Sequence, residues 1–125
     1  MVSENERVVR EFCAAWGRKD VRELCGFFAE HAVYHNIPMG PVTGKAAIAQ
    51  AIGMFLPGAE TIEFEMVHLA AAGDVVFTER MDRFVIAGRD LELPVAGVFE
   101  LENGLIKAWR DYFDIGMWQR QASGN

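Results

Sequence analysis

The sequence predicts an α+β fold in which a curved β-sheet wraps around helices supplied by the first part of the chain. Three observations carry this expectation. Apolar residues recur at spacings of three and four up to about Leu56, the period changes to two from Thr61 onward, and short turn signals divide the second half into an antiparallel meander. A sheet curved in this way leaves a concave face open, which is where a pocket belongs.

Ser3 and Glu6 have the spacing of a capping box, with Val8, Val9, Phe12, Cys13 and Trp16 following as the apolar stripe of a first helix that Gly17 is expected to end. Asp20 caps a short second helix with Val21, Leu24, Cys25 and Phe28 on its apolar face. Ala32 to Ile37 reads as a strand. Lys45 to Leu56 carries Ala47, Ile48, Ala51, Ile52 and Phe55 on one stripe and stops at Pro57-Gly58, a third helix. Ile62, Phe64 and Met66 then alternate with Thr61, Glu63 and Glu65 up to a reversal at Gly73-Asp74. Strands are expected over Val75 to Ile86, Leu91 to Leu101 and Leu105 to Phe113, with turns at Ala87 to Asp90 and Glu102 to Gly104. Asp114 caps a last helical turn through Trp118, and the tail from Gln121 to Asn125 is expected to fray.

With 125 residues, 51% of them hydrophobic and 24% charged, the composition predicts one globular domain over residues 1–125. A chain of this size buries roughly 68% of its unfolded surface, enough for a core without a disulfide or structural metal. Twelve Lys and Arg against eighteen Asp and Glu give a net charge of -6, the wrong sign for nucleic acid. The polar, acidic start Met1 to Glu6 does not read as a signal peptide, so none is expected, and no apolar run approaches the roughly 18 residues of a membrane span. A cytoplasmic protein with Cys13 and Cys25 as free thiols is expected.

The functional signal lies in polar residues on faces that should be apolar. Alternation puts Tyr34 and Asn36 on one face of their strand. Thr78, Arg80 and Asp82 share a face that continues to Phe84 and Ile86, and Asp111 stands between Trp109 and Phe113. A carboxylate in apolar surroundings needs a cationic partner, for which Arg80 is available to Asp111 and Asp82 alike. The same pattern also suits a half-buried salt bridge with no chemical role, and Tyr34 and Asn36 suit strand ends.

Other chemistries find no support. His31 and His35, four residues apart on a strand, are about 13 Å apart, beyond the reach of one metal ion. Gly40 to Gly44 lacks the lysine of a phosphate-binding loop, and no Gly-x-Ser-x-Gly elbow is present.

The segments Tyr34-His35-Asn36-Ile37-Pro38-Met39, Thr78-Glu79-Arg80-Met81-Asp82, Gly97 to Leu101 and Trp109-Arg110-Asp111-Tyr112-Phe113-Asp114 resemble, in order and over almost the whole chain, the limonene-1,2-epoxide hydrolases. The resemblance implies the cone-shaped curved mixed sheet of the NTF2-like, SnoaL-like superfamily, a cystatin-like α+β barrel. It also implies a deep apolar pocket, a reaction without cofactor or metal, a small hydrophobic epoxide and water as partners, and a homodimer. The site it implies is Tyr34, Asn36, Arg80, Asp82 and Asp111, each matched by residue type.

Opening an epoxide needs a nucleophile at carbon and a proton for the departing oxygen, which calls for one carboxylate as base and one as acid. Asp111 is expected to be the base, holding water with Tyr34 and Asn36. Asp82 is expected to be the acid, kept protonated by desolvation, with Arg80 between the two. Met39, Leu56, Phe84, Leu93 and Val95 are expected to form the apolar wall. Two other readings stay open: a ketosteroid-isomerase-like or polyketide-cyclase-like enzyme that moves a proton with the same fold, and a non-catalytic small-molecule-binding module.

Overall fold

The computed structural model describes residues 3–124; Met1 and Val2 of the acidic start and Asn125 of the tail lie outside the described residues. Helix α1 spans Glu4–Ala15, and Ser3 caps it by accepting the Glu6 amide on Oγ at 3.2 Å. The helix does not end at Gly17. Its last turn tightens into a 3-10 turn over Trp16–Arg18, and the left-handed residue that ends the run is Lys19, with φ 56°. Gly17 serves a different purpose: a Cβ there would come within 3.3 Å of the Ile62 carbonyl, so its absence lets α1 settle against the sheet. Helix α2, Val21–Cys25, is capped by Asp20 as expected but is only five residues long. Phe28 therefore begins strand β1, Phe28–Asn36, instead of completing a helical face.

After β1 come β2 (Val42–Thr43), helix α3 (Lys45–Phe55) and a 3-10 turn over Leu56–Gly58. The meander follows as β3 (Thr61–Ala72), β4 (Val75–Ile86), β5 (Arg89–Glu102) and β6 (Leu105–Tyr112), and helix α4 (Ile115–Ala122) closes the chain. The two later hairpins turn through Ala87-Gly88 (φ 52° and 75°) and Asn103-Gly104 (φ 52° and 77°). Two consecutive left-handed residues match the twist of the flanking strands. Arg89 and Asp90, expected in the turn, are thus already paired in β5.

The six strands form one sheet in the order β2-β1-β6-β5-β4-β3. All neighbours are antiparallel except β1 and β6, which run parallel with Tyr34 opposite Trp109 and Asn36 opposite Asp111. The fold is α+β with helices packed against a curved mixed sheet, as predicted. Phe12 of α1 sits at the centre of the core, with edge-on ring contacts to Phe28, Phe99 and Trp109 at 5.4, 6.0 and 4.9 Å between centroids. Burial of such rings is the main stabilising term, and edge-on geometry suits their quadrupoles. The tail is not frayed at Gln121. Its amide accepts the Glu92 N–H at 2.8 Å and donates to the Glu92 carbonyl at 2.8 Å, pinning α4 to β5.

Candidate active site

Inside the curve of the sheet, Arg80, Asp82 and Asp111 are buried to 1%, 3% and 4% exposure. Alternation along β4 turns Thr78, Arg80 and Asp82 inward, and alternation along β6 does the same for Trp109 and Asp111. These strands are not neighbours, because β5 lies between them. Register places Gly97 of β5 opposite both Thr78 and Asp111, so at this one point the intervening strand presents no side chain. A Cβ on Gly97 would fall 2.5 Å from Arg80 Nη1, 2.7 Å from Thr78 Oγ1 and 2.8 Å from Asp111 Oδ1. The guanidinium crosses the sheet through that gap.

All five N–H donors of Arg80 are engaged. Nε and Nη2 bond Asp82 Oδ1 and Oδ2 at 3.0 and 2.8 Å, Nη1 and Nη2 bond Asp111 Oδ1 and Oδ2 at 3.1 and 2.8 Å, and Nη1 also bonds Thr78 Oγ1 at 3.2 Å. Such a two-sided fork is available to arginine and not to lysine. Its carbon end lies 4.9 Å from the Phe64 ring centroid. Burial opposes the charge of Arg80, but Asp111 and Asp82 outweigh it and hold the guanidinium well above its ordinary value.

Burial also pushes Asp82 up, from 3.8 to about 6, against the hydrogen bonds and charge of Arg80 and with help from the charge of Asp111. Two carboxyls sharing one cation are thereby suited to share one proton. Asp111 accepts a further hydrogen bond on Oδ1 from Trp109 Nε1 at 2.7 Å. On the adjoining strand Asn36 Nδ2 donates to the Tyr34 hydroxyl at 3.1 Å, and burial followed by the charge of Asp111 raises the phenol.

Tyr34, Asn36, Asp82 and Asp111 line one cavity of about 380 Å³, whose remaining wall is almost entirely apolar. All five residues expected at the site are thus brought together, with Arg80 behind the wall. Of the expected apolar lining, Met39, Phe84, Leu93 and Val95 face the cavity; Leu56 does not. It starts the 3-10 turn after α3 and points into the core, and its neighbour Phe55 takes the wall position. Trp16, Phe64, Ile115 and Trp118 also line the cavity and were not anticipated, since a helix end or strand residue of this type is equally at home in any core. His35 engages the Met39 carbonyl at 2.8 Å, and among the described residues no three His, Cys, Asp or Glu are grouped to hold a metal ion.

The family model described as the limonene-1,2-epoxide hydrolase catalytic domain matches residues 3–122. The chain is 30% identical over 107 residues to the epoxide hydrolase EphG of Mycobacterium tuberculosis, covering 86% of this chain and 71% of that protein. A solved structure of an epoxide hydrolase of this type from M. tuberculosis is 30% identical, with a TM-score of 0.85 over 97% of this chain and 91% of that one. A protein provisionally named a SnoaL-like polyketide cyclase, from Shewanella putrefaciens, superposes over 100% of both chains with a TM-score of 0.88 at 16% identity. A hypothetical protein of ketosteroid isomerase-like fold from Catenulispora acidiphila gives 0.84 at 21% identity over 93% and 92%. The last two share the fold alone.

Proposed function

The chain belongs to the limonene-1,2-epoxide hydrolase family, and from that premise we propose that it adds water in one step to a small hydrophobic epoxide, cyclic or meso, giving a vicinal diol. Arg80 forked between two buried carboxylates that line an otherwise largely apolar cavity is the observation that carries the reading. The cavity is near the small end of ligand sites, which run from about 300 to 1,000 Å³. Its charged and amide lining is limited to Asn36, Asp82 and Asp111, with Asn36 opposite Asp111 in the sheet register and Arg80 joining Asp111 to Asp82, which suits a substrate with a hydrocarbon body and a single oxygen.

Water is held by Asp111, the Asn36 carbonyl oxygen and the Tyr34 hydroxyl, leaving a lone pair for the epoxide carbon. As that oxygen bonds to carbon, its proton passes to Asp111. The carbon–oxygen bond of the epoxide breaks with its electron pair on oxygen, which takes the proton of Asp82. Asp111 is left protonated and Asp82 ionised, and return of the proton between them through water resets the site. Arg80 balances the single negative charge throughout. No step needs a cofactor or a metal.

Residues 1–125 act as one catalytic domain in this reading. Phe77 and Tyr112, 47% and 45% exposed on the outer face of the sheet, fit a homodimer packed through that face. Among the described residues no helix is long and apolar enough to cross a membrane, and the free thiols Cys13 and Cys25 fit the reducing cytoplasm.

The test is turnover of a panel of cyclic and meso epoxides, with a single turnover in 18O-labelled water. Label in the diol on the first turnover, lost together with activity in Asp111→Asn, is the expected result. Unlabelled diol would mean attack by an enzyme carboxylate. No epoxide turnover alongside isomerisation of unsaturated ketones would transfer the site to enolate chemistry, and ligand-induced stabilisation without any turnover would make it a binding module.

A further inference from the structure

Trp109 does not line the cavity, yet it touches two of the groups that do. Its indole N–H donates to Asp111 Oδ1 at 2.7 Å, and its ring stacks on Tyr34 with centroids 4.3 Å apart and planes inclined by 8°. On the other side the indole is fixed by Phe99, stacked at 5.5 Å, and by the edge of Phe12 at 4.9 Å. It is fully buried. One rigid ring therefore lies against the plane of the Tyr34 phenol and, together with the Arg80 fork, fixes the rotation of the Asp111 carboxylate.

The two oxygens of Asp111 are not equivalent. Oδ1 receives Trp109 Nε1 and Arg80 Nη1 and is turned to the sheet, close to where a Cβ on Gly97 would lie. Oδ2 receives Arg80 Nη2 alone. A carboxylate oxygen has two principal lone-pair directions, so Oδ1 is saturated and Oδ2 has one left. We infer that Trp109 is a positioning residue, whose N–H locks Oδ1 so that Oδ2 is the oxygen that takes the proton from water, and whose face aligns Tyr34 with it. This rests on the hydrolase reading of the site.

The experiment replaces only the N–H. Chemical synthesis or codon reassignment gives Trp109→benzothienylalanine, which keeps the bicyclic ring and puts sulfur in place of nitrogen; Trp109→Phe is the genetically simple companion. On an epoxide turned over by the wild type, kcat is expected to fall by roughly 10²-fold with KM within about twofold, because misaligning a reacting group acts on the transition state and not on binding of the apolar body. In a 1H–15N spectrum of the wild type, the Trp109 indole signal is expected well downfield and to move upfield in Asp111→Asn, while the Trp118 signal stays. A purely structural Trp109 would lower the melting temperature and leave kcat within twofold; that result in the benzothienylalanine protein overturns the inference. If the wild type turns over no epoxide the hydrolase reading fails instead, and an indole signal indifferent to Asp111→Asn still overturns this one.

Discussion

Asp82 has to carry a proton to act as the acid, and burial raises it to about 6. The protonated fraction falls as pH rises through that value, so kcat/KM, which reports the free enzyme, is expected to decline above about pH 6. An apolar substrate expels the remaining water and disfavours the carboxylate further, so the basic limb of kcat should lie at higher pH than that of kcat/KM. Coincident limbs would show that occupancy does not desolvate the acid. For stability the sign follows from the raised value: the contribution of Asp82 is complete below 3.8 and is lost as pH rises through about 6, measurable as a falling urea midpoint over that window. Gly97 has the opposite kind of importance, acting through what it lacks. Gly97→Ala puts a methyl within 2.8 Å of three buried polar atoms, and overpacking of this kind costs about 1–3 kcal/mol. Both a lower denaturation midpoint and a loss of turnover are expected; full activity would mean that the arginine fork can be displaced without consequence. The charged half of the site was legible because Arg80, Asp82 and Asp111 break an apolar alternation. Gly97 was not, since a glycine on an inward position says nothing about which side chains will cross over it.

Helix α4 shows how a minor element controls a major one. Its N-cap, Asp114, accepts the amides of Gly116 and Met117 at 2.8 and 3.3 Å, and the residues so ordered include Ile115 and Trp118 of the cavity wall. Asp114→Ala removes the cap at a cost of about 1 kcal/mol. The expected result is a melting temperature lower by several degrees, with KM raised more than kcat is reduced, because the wall loosens while Asp82 and Asp111 stay on the sheet. Equal losses in both would place α4 in the chemistry. The caps Ser3, Asp20 and Asp114 were all readable, since each side chain satisfies amides only a few residues away. Lengths were less so. Leu56 and Phe55 are neighbours at the end of α3, about 100° apart around the helix, and periodicity puts both on its apolar side without saying which faces the cavity and which the core.

At the scale of the molecule, the outer face of the sheet has Phe77, Val98 and Arg110 in one cross-strand row and Glu79, Ala96 and Tyr112 in the next. Covering Phe77 and Tyr112 by a second copy is the reading that sedimentation can settle: Phe77→Glu should shift a dimer toward monomer with little change in the melting temperature of the monomer at low concentration. A wild type that sediments as a monomer would remove the proposal. The antiparallel meander was legible because its hairpins are local. The parallel pairing of β1 with β6 was not, as periodicity marks a strand but never names its distant neighbour. That pairing joins the first long strand to the last, and it is what brings Tyr34 and Asn36 to Asp111. Contacts between distant parts of a chain carry the larger loop-closure cost, and a fold that depends on them is slower to form than one built from local pairings. The pairing that brings Tyr34 and Asn36 to Asp111 spans the greatest sequence separation among the described strand pairs, and during synthesis these groups therefore stay apart until β6 has been made and can settle beside β1.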